Sequence, residues 1–135
     1  MEIEEALTAY LLDFPGLTAL IGGDKLYPDE LPQGIKLPAV IYSKVSDVKD
    51  HTLTGQDCLE SPMLQFAVFA GSKAAARAVA NQLKAALCDF QGTLSGIEIQ
   101  YIKLENELSS LERSSDGTIK INTEILEFEI NFVKG

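Results

Sequence analysis

Apolar residues recur at helical spacing near the start of the chain. The stretch IEEALTAYLLDF, residues 3–14, carries this stripe on one side, and the spacing predicts an amphipathic helix. The stripe consists of Ile3, Leu7, Leu11 and Phe14. Pro15 and Gly16 are expected to end the helix, before a short apolar turn from Leu17 to Ile21.

A second helical pattern follows Ser72, a favourable N-cap residue. The stretch KAAARAVANQLKAALCDF, residues 73–90, has an apolar stripe that Gly92 stops. Its basic residues Lys73, Arg77 and Lys84 make it locally basic in an acidic chain. This pattern is typical of a solvated helix face, and it also suits an electrostatic partner.

Four stretches read as strands. AVIYSKV follows Pro38, and SPMLQFAVFA is fairly apolar on both faces, which predicts a central strand. Near the C-terminus, IEIQYIKLENEL and TIKINTEILEFEINFV flank the turn signal SSDGT. The apolar phase of the last strand changes near Ile125, so a β-bulge is expected there.

Two further stretches are expected to be irregular. Pro28, Pro32 and Pro38 fall in one segment of 17 residues, YPDELPQGIKLPAVIYS, which predicts an ordered loop that stiffens the approach to the first strand. SDVKDHTLTGQDCLE is polar and too long for a tight hairpin turn, so it predicts an exposed, mobile excursion.

The order of these elements is helix, strand, strand, helix, strand, strand. It predicts a single α+β domain over residues 1–135, with a four-stranded, mainly antiparallel sheet and helices packed on it. The order of the strands in the sheet stays open.

Composition excludes several classes of protein. The chain has 135 residues, 46% of them hydrophobic, and no stretch approaches the length of a membrane span, so a soluble protein is expected. The N-terminus lacks the basic residues that begin a secretory signal and carries Glu2, Glu4 and Glu5 instead, so the mature chain is expected to begin at Met1. Without export, Cys58 and Cys88 are expected to be reduced thiols. The net charge of −9 argues against a surface that grips DNA or an anionic membrane.

The residues that could carry chemistry do not form a convincing site. His51 lies in the polar excursion among acids, seven residues before Cys58, but a zinc site needs three or four ligands and a catalytic dyad needs fixed geometry. Glu105 with Glu107, and Glu127 with Glu129, are expected to share a strand face, which a solvated surface explains better than an acid/base pair. We therefore predict no catalytic residue, no metal and no cofactor.

Several motifs in order resemble a known family. They are the N-terminal helix leading to LIGGDKLYP, the pieces LPQG and LPAVIY before the first strand, LTG inside the excursion, and the alanine-rich SKAAARAVANQLKAAL. Together they resemble the tail-completion, or tail-to-head joining, family of long-tailed bacteriophages and prophages, over nearly the whole chain.

The resemblance implies a structural protein without enzymatic activity. Such a protein forms or joins a six-fold ring at the head-proximal end of the tail, between the tail tube protein and the head-completion or stopper protein. It would be assembled in the bacterial cytoplasm and kept in the neck of the virion. DNA would pass through the ring without specific binding, and in free solution the chain could be a monomer or a hexamer.

Two sets of residues are assigned to this role as hypotheses. Acidic strand residues are expected to face or approach the channel and to repel DNA; they are Glu98, Glu105, Glu107, Glu127 and Glu129. Residues of the excursion and of the last turn are expected to contact neighbouring rings; they are Asp47, Asp50, His51, Thr54, Asp57 and Asp116.

Three alternatives stay open at this point. The family resemblance equally fits a terminator that caps the tail tube. An acidic, two-faced sheet would also suit a monomeric binding module, such as an immunity or adaptor protein. A small enzyme that uses Cys58 and His51 is the third interpretation.

Overall fold

The fold was analysed in a computed structural model. It describes residues 3–22, 25–29, 38–51, 58–88, 90–94, 96–113 and 120–134. In chain order, the elements are α1 (Ile3–Leu12), α2 (Pro15–Ile21), β1 (Leu26–Pro28), β2 (Ala39–His51), β3 (Cys58–Ala70), α3 (Lys73–Leu87), β4 (Gly92–Leu94), β5 (Ile97–Arg113) and β6 (Lys120–Lys134). No helix in the described ranges is long and apolar enough to cross a bilayer.

The sheet is larger than the sequence predicted. It is a curled, six-stranded sheet in the order β1-β2-β3-β6-β5-β4, so the predicted four-stranded sheet is wrong. It is also mixed, because β1 pairs parallel to β2 while the other neighbours are antiparallel. The two additional strands are three residues each, which is too short for an alternating pattern to show.

The segment from Pro15 to Ile21 is a helix, not the apolar turn expected. Proline is tolerated at the first helical position, where its missing N–H would have no partner within the helix. Leu17 and Ile21 are four residues apart, and both are fully buried. Gly22 ends the helix with φ of 72°, a conformation that glycine adopts at little cost.

The alanine-rich helix α3 forms where the sequence predicts it. The Ser72 hydroxyl accepts a hydrogen bond from the Ala75 N–H at 3.1 Å, as an N-cap residue does. The buried side of α3 packs on β3, β5 and β6. Its members are Ala76, Val79, Ala80, Leu83, Ala86 and Leu87.

The main core lies between the helices and one face of the sheet. Phe66 of β3 and Phe128 of β6 meet there edge to face, with ring centroids 5.8 Å apart. Leu64, Val68 and Leu126 are fully buried on the same face. As predicted, β3 is a central strand, because it lies between β2 and β6.

The polar excursion is largely strand. β2 continues to His51 and β3 begins at Cys58, with a register shift between Lys44 and Ser46. The two strands pair over this stretch, so the expected mobile excursion is wrong for residues 46–51 and 58–60. Residues 52–57 lie outside the described part of the chain.

In the long hairpin of β5 and β6, both shifts of the pairing register lie in β5. The register shifts between Ile99 and Tyr101 and again between Leu104 and Asn106, whereas the pairing partners on β6 run without a gap. The bulge predicted near Ile125 is therefore wrong. Instead, Ile125 pairs with Ala67 and Leu108 on the sheet face opposite the helices, which we call the open face.

The two long hairpins extend from opposite ends of the sheet. β2 and β3 lead to the tip after His51, and β5 and β6 lead to the tip after Arg113. Since β2 and β6 run the same way, with β3 antiparallel between them, the end of β2 and the start of β6 lie at opposite ends.

Candidate interaction surfaces

An apolar row crosses four strands on the open face. Direct cross-strand pairing joins Ile41 of β2, Ala67 of β3, Ile125 of β6 and Leu108 of β5. Leu108 is 50% exposed, and the other three are partly exposed. An open face of this kind is usually polar in a water-facing antiparallel sheet, so the row indicates a surface for a partner.

Two acids lie beside the apolar row on β6. The Asn106 side-chain amide donates to Glu127 Oε1 at 3.0 Å, and the Tyr101 hydroxyl donates to Glu129 Oε1 at 3.4 Å. Each bond engages one carboxylate oxygen, and an ionised carboxylate accepts about four hydrogen bonds. Both acids therefore retain acceptor capacity toward a partner.

The five predicted channel residues are distributed over different places. Glu127, Glu129 and the exposed Glu98 lie on the open face, according to their pairing register. Glu105 lies at the register shift in β5, where Lys103 approaches it at 3.4 Å. Glu107 faces the helices, so it does not share a face with Glu105 as its spacing suggested.

The basic residues of α3 face an acidic part of the β5 and β6 hairpin. Lys84 forms a 2.9 Å ion pair with Glu107 Oε1. Arg77 lines the cleft between the helix and the hairpin, of about 480 Å³, together with Glu107 and Glu124. One electrostatic partner of α3 is therefore within the chain itself.

Three buried polar residues of β6 were not predicted: Thr123, Glu124 and Asn131. Glu124 is 4% exposed and accepts a 2.6 Å hydrogen bond from the Ser109 hydroxyl at Oε2. Thr123, also 4% exposed, lies on the open face, and its hydroxyl has no hydrogen-bond partner. Alternation predicts that one face of this strand is exposed to solvent, so no sequence pattern pointed to the burial of these residues.

Three of the six predicted partner-contact residues lie in the described part of the chain. Asp47, Asp50 and His51 lie on β2, opposite Pro62, Leu59 and Cys58. Thr54, Asp57 and Asp116 lie outside the described residues.

The candidate chemical groups form no cluster in the described ranges. The backbones of His51 and Cys58 pair directly across the β2 and β3 strands. Cys88 caps the C-terminus of α3 and is partly buried against the core, which fits a packing role. Among the described residues, no three of His, Cys, Asp or Glu come together as a metal site would require.

Comparison with known proteins decides the family. The family model of tail completion protein gp17 matches residues 5–123. This chain belongs to the tail completion protein gp17 family. The expected family resemblance is thus confirmed, and the role of this tail completion protein is structural and related to the phage tail.

The fold recurs in a solved phage-like particle. A chain of the "Virion of native gene transfer agent (GTA) particle" is similar, with a TM-score of 0.64 and 16% sequence identity. The match covers 96% of this tail completion protein and 94% of that chain. No curated protein matches the sequence. At this identity the structural match establishes a shared fold.

Proposed function

We propose that this protein is a ring component that completes the head-proximal end of the tail and joins the tail to the head. The observation that carries the proposal is the pair of long hairpins extending from opposite ends of one sheet. A joining protein needs two separated contact regions, one for each neighbouring ring. The predicted partner-contact residues Asp47, Asp50 and His51 belong to one of these hairpins.

A six-fold ring is the arrangement we propose for the assembled particle. A chain of this length has a radius of gyration of about 14 Å. Six such bodies in a closed ring leave an opening about as wide as one subunit, through which a DNA duplex can pass. The similar fold in a gene transfer agent virion supports a place in the particle.

The acidic residues are proposed to keep DNA from adhering to this opening. Glu98 and Glu105 are exposed and would face the channel, while Glu107, Glu127 and Glu129 would approach it from between subunits. Like-charge repulsion from phosphates is the physical basis. No specific nucleic-acid binding is expected.

The proposed partners are the tail tube protein on one side and a head-completion or stopper protein on the other. Assembly would take place in the bacterial cytoplasm, and the finished ring would stay in the neck of the virion. Neither step requires a cofactor or a catalytic residue.

Counting copies in purified particles tests the proposed place in the virion. Quantitative mass spectrometry of intact, tailed particles should find about six copies for each particle, as one six-fold ring needs. Absence from such particles would overturn the structural-ring proposal and favour the monomeric binding module.

Shortening each hairpin tip separately tests the joining role. We would replace residues 52–57 by a short glycine turn in one variant, and residues 114–119 in another. Both variants should fold, because the paired strands β2 with β3 and β5 with β6 are kept. If the protein joins, one variant should leave tails that carry the protein but lack heads, and the other should lose the protein from the tails.

The same experiment separates joining from capping. A terminator that only caps the tube needs its tail-facing tip for attachment. If particles with a shortened second tip still assemble completely, the capping role replaces the joining role.

A further inference from the structure

We propose that the open face of one copy binds the exposed side of α3 of the next copy, so that the ring forms through a repeated helix-on-sheet contact. This inference rests on the proposed ring and specifies its subunit interface. The apolar row of Ile41, Ala67, Ile125 and Leu108 has no described helix over it, since α3 packs on the opposite face.

Charge determines which surface can cover this face. Among the described side chains beside the apolar row, the open face presents Glu127 and Glu129 against one lysine, Lys103. Two open faces in a two-fold contact would bring acids against acids, which is unfavourable. The covering surface should therefore be basic and different from the open face.

The exposed side of α3 has the required properties. Four small or polar residues lie on one side of the helix, away from its buried stripe, because they are spaced by four, three and four residues. They are Ala74, Ala78, Asn81 and Ala85. Lys73 and Arg77 flank this small-residue side, and both are exposed. Neither forms an ion pair with another described residue. Small side chains let a helix approach a sheet closely.

The spacing of the charges also matches. Lys73 and Arg77 are four residues apart, so they are separated by about 6 Å along the helix axis. Glu127 and Glu129 are two residues apart on β6, which is about 6.7 Å along the strand. A helix lying along β6 can thus bring Lys73 to Glu129 and Arg77 to Glu127 at the same time.

This alignment carries the rest of α3 over the apolar part of the face. Beyond Glu127, the next open-face residues on β6 are Ile125 and Thr123. The alanines of the docked helix would cover Ile125 and the row it belongs to. Thr123, whose hydroxyl has no partner among the described residues, would lie under the last turn of the docked helix.

A contact between these two different surfaces is able to close into a ring. The two surfaces are on opposite sides of the same subunit, because α3 covers one sheet face and the open face is the other. Such a contact repeats from copy to copy, and the copies form a closed ring when the rotation from one copy to the next is a whole fraction of a full turn.

Charge reversal with complementary rescue tests the interface. The first variant is E127K with E129K, and the second is K73E with R77E; a third chain carries all four changes. Each would be supplied in place of the wild-type protein, and its copies per particle measured by mass spectrometry. E5K with D13K, exposed on α1 and just after it, is the control for the first variant because it changes the charge equally.

The expected results are specific to this pairing. Each two-residue variant should be incorporated at least about tenfold less than wild type, since like charges across an interface cost several kcal/mol. The four-residue variant, and a mixture of the two single-face variants, should restore incorporation because the charges are again complementary. The control should be incorporated normally.

Two outcomes would overturn the interface. One is normal incorporation of either single-face variant, and the other is a four-residue variant that folds but does not recover. Circular-dichroism melting of every variant shows whether it folds, and E127Q with E129Q replaces the first variant if the lysines unfold it. Absence of the wild-type protein itself from particles would instead overturn the proposed function.

Discussion

At the scale of residues, the basic groups of α3 lie beside acidic groups of the hairpin of β5 and β6. Lys73, Arg77 and Lys84 stand out from the chain alone, but the partner of Lys84 is Glu107 of β5, 23 residues away. A register shift turns Glu107 toward the helices, and such a shift leaves little trace in the order of residues. Burial of Thr123 was equally hidden, because one isolated hydroxyl in an alternating strand normally faces water.

The Lys84 and Glu107 pair is expected to stabilise the fold only weakly. Its side chains are 29% and 41% exposed, and pairs at this exposure contribute about 0.2–1 kcal/mol. A double-mutant cycle of K84A and E107A, measured by urea denaturation, should give a coupling within this range that decreases as salt increases. K103A with E105A is the comparison, because Lys103 is 66% exposed, and its coupling should be smaller. A coupling above about 2 kcal/mol would contradict this interpretation.

Replacement of Thr123 by valine is expected to stabilise the isolated chain. Valine has nearly the same shape and removes a buried hydroxyl that has no hydrogen-bond partner. The gain in the free energy of unfolding should be about 1 kcal/mol, which chemical denaturation measures. T123S is the control, since it keeps the hydroxyl and should give no gain. A loss of stability in T123V would show that the hydroxyl is satisfied in solution.

At the scale of elements, long patterned segments were predictable and short ones were not. α1, α3, β5 and β6 follow from apolar spacing, as do the first part of β2 and most of β3. α2, β1 and β4 were missed, because seven or three residues contain too little of a period, and Pro15, Pro28 and Gly92 suggested breaks. The same limit affected the interaction surfaces. Contacts at the hairpin tips could be proposed from local sequence, but the apolar row depends on pairing between four strands, which local sequence does not show.

The start of α3 provides a test at this scale. S72A should reduce the free energy of unfolding by about 1 kcal/mol, because the Ala75 N–H loses its acceptor. S72D should retain most of the stability, since aspartate also caps a helix and its charge suits the helix N-terminus. Urea denaturation of the three proteins gives both values. Equal destabilisation by alanine and aspartate would argue against the cap.

At the scale of the whole molecule, the order of strands could not be derived from the sequence. Two hairpins joined by a helix can be arranged in several antiparallel ways, and local patterns do not choose between them. The observed order places β3 beside β6, which unites both hairpins in one sheet and directs their tips to opposite ends. The family was recognisable from sequence because its motifs are local, whereas this two-ended shape was not.

The proposed channel acids give a prediction for the assembled particle. E98K with E105K should slow DNA release, because two lysines in each of six copies would attract the phosphates that the wild-type acids repel. The rate of DNA ejection from purified particles measures the effect, and higher salt should reduce it. E5K with D13K, which changes the net charge equally, should eject DNA at the wild-type rate. Unchanged ejection by E98K with E105K would place these acids away from the channel.

The two register shifts in β5 determine which face of the sheet each later side chain of the strand occupies. Because side chains alternate between faces, one extra residue exchanges the faces for everything after it, and a second extra residue exchanges them back. Deleting Glu105 alone would therefore remove one bulge and leave Glu107 and Leu108 on their present faces, whereas deleting a paired residue such as Ile102 would break the alternation. Single-residue length changes in this strand should therefore be tolerated at its two bulges and at the hairpin tip, where no paired residue changes face.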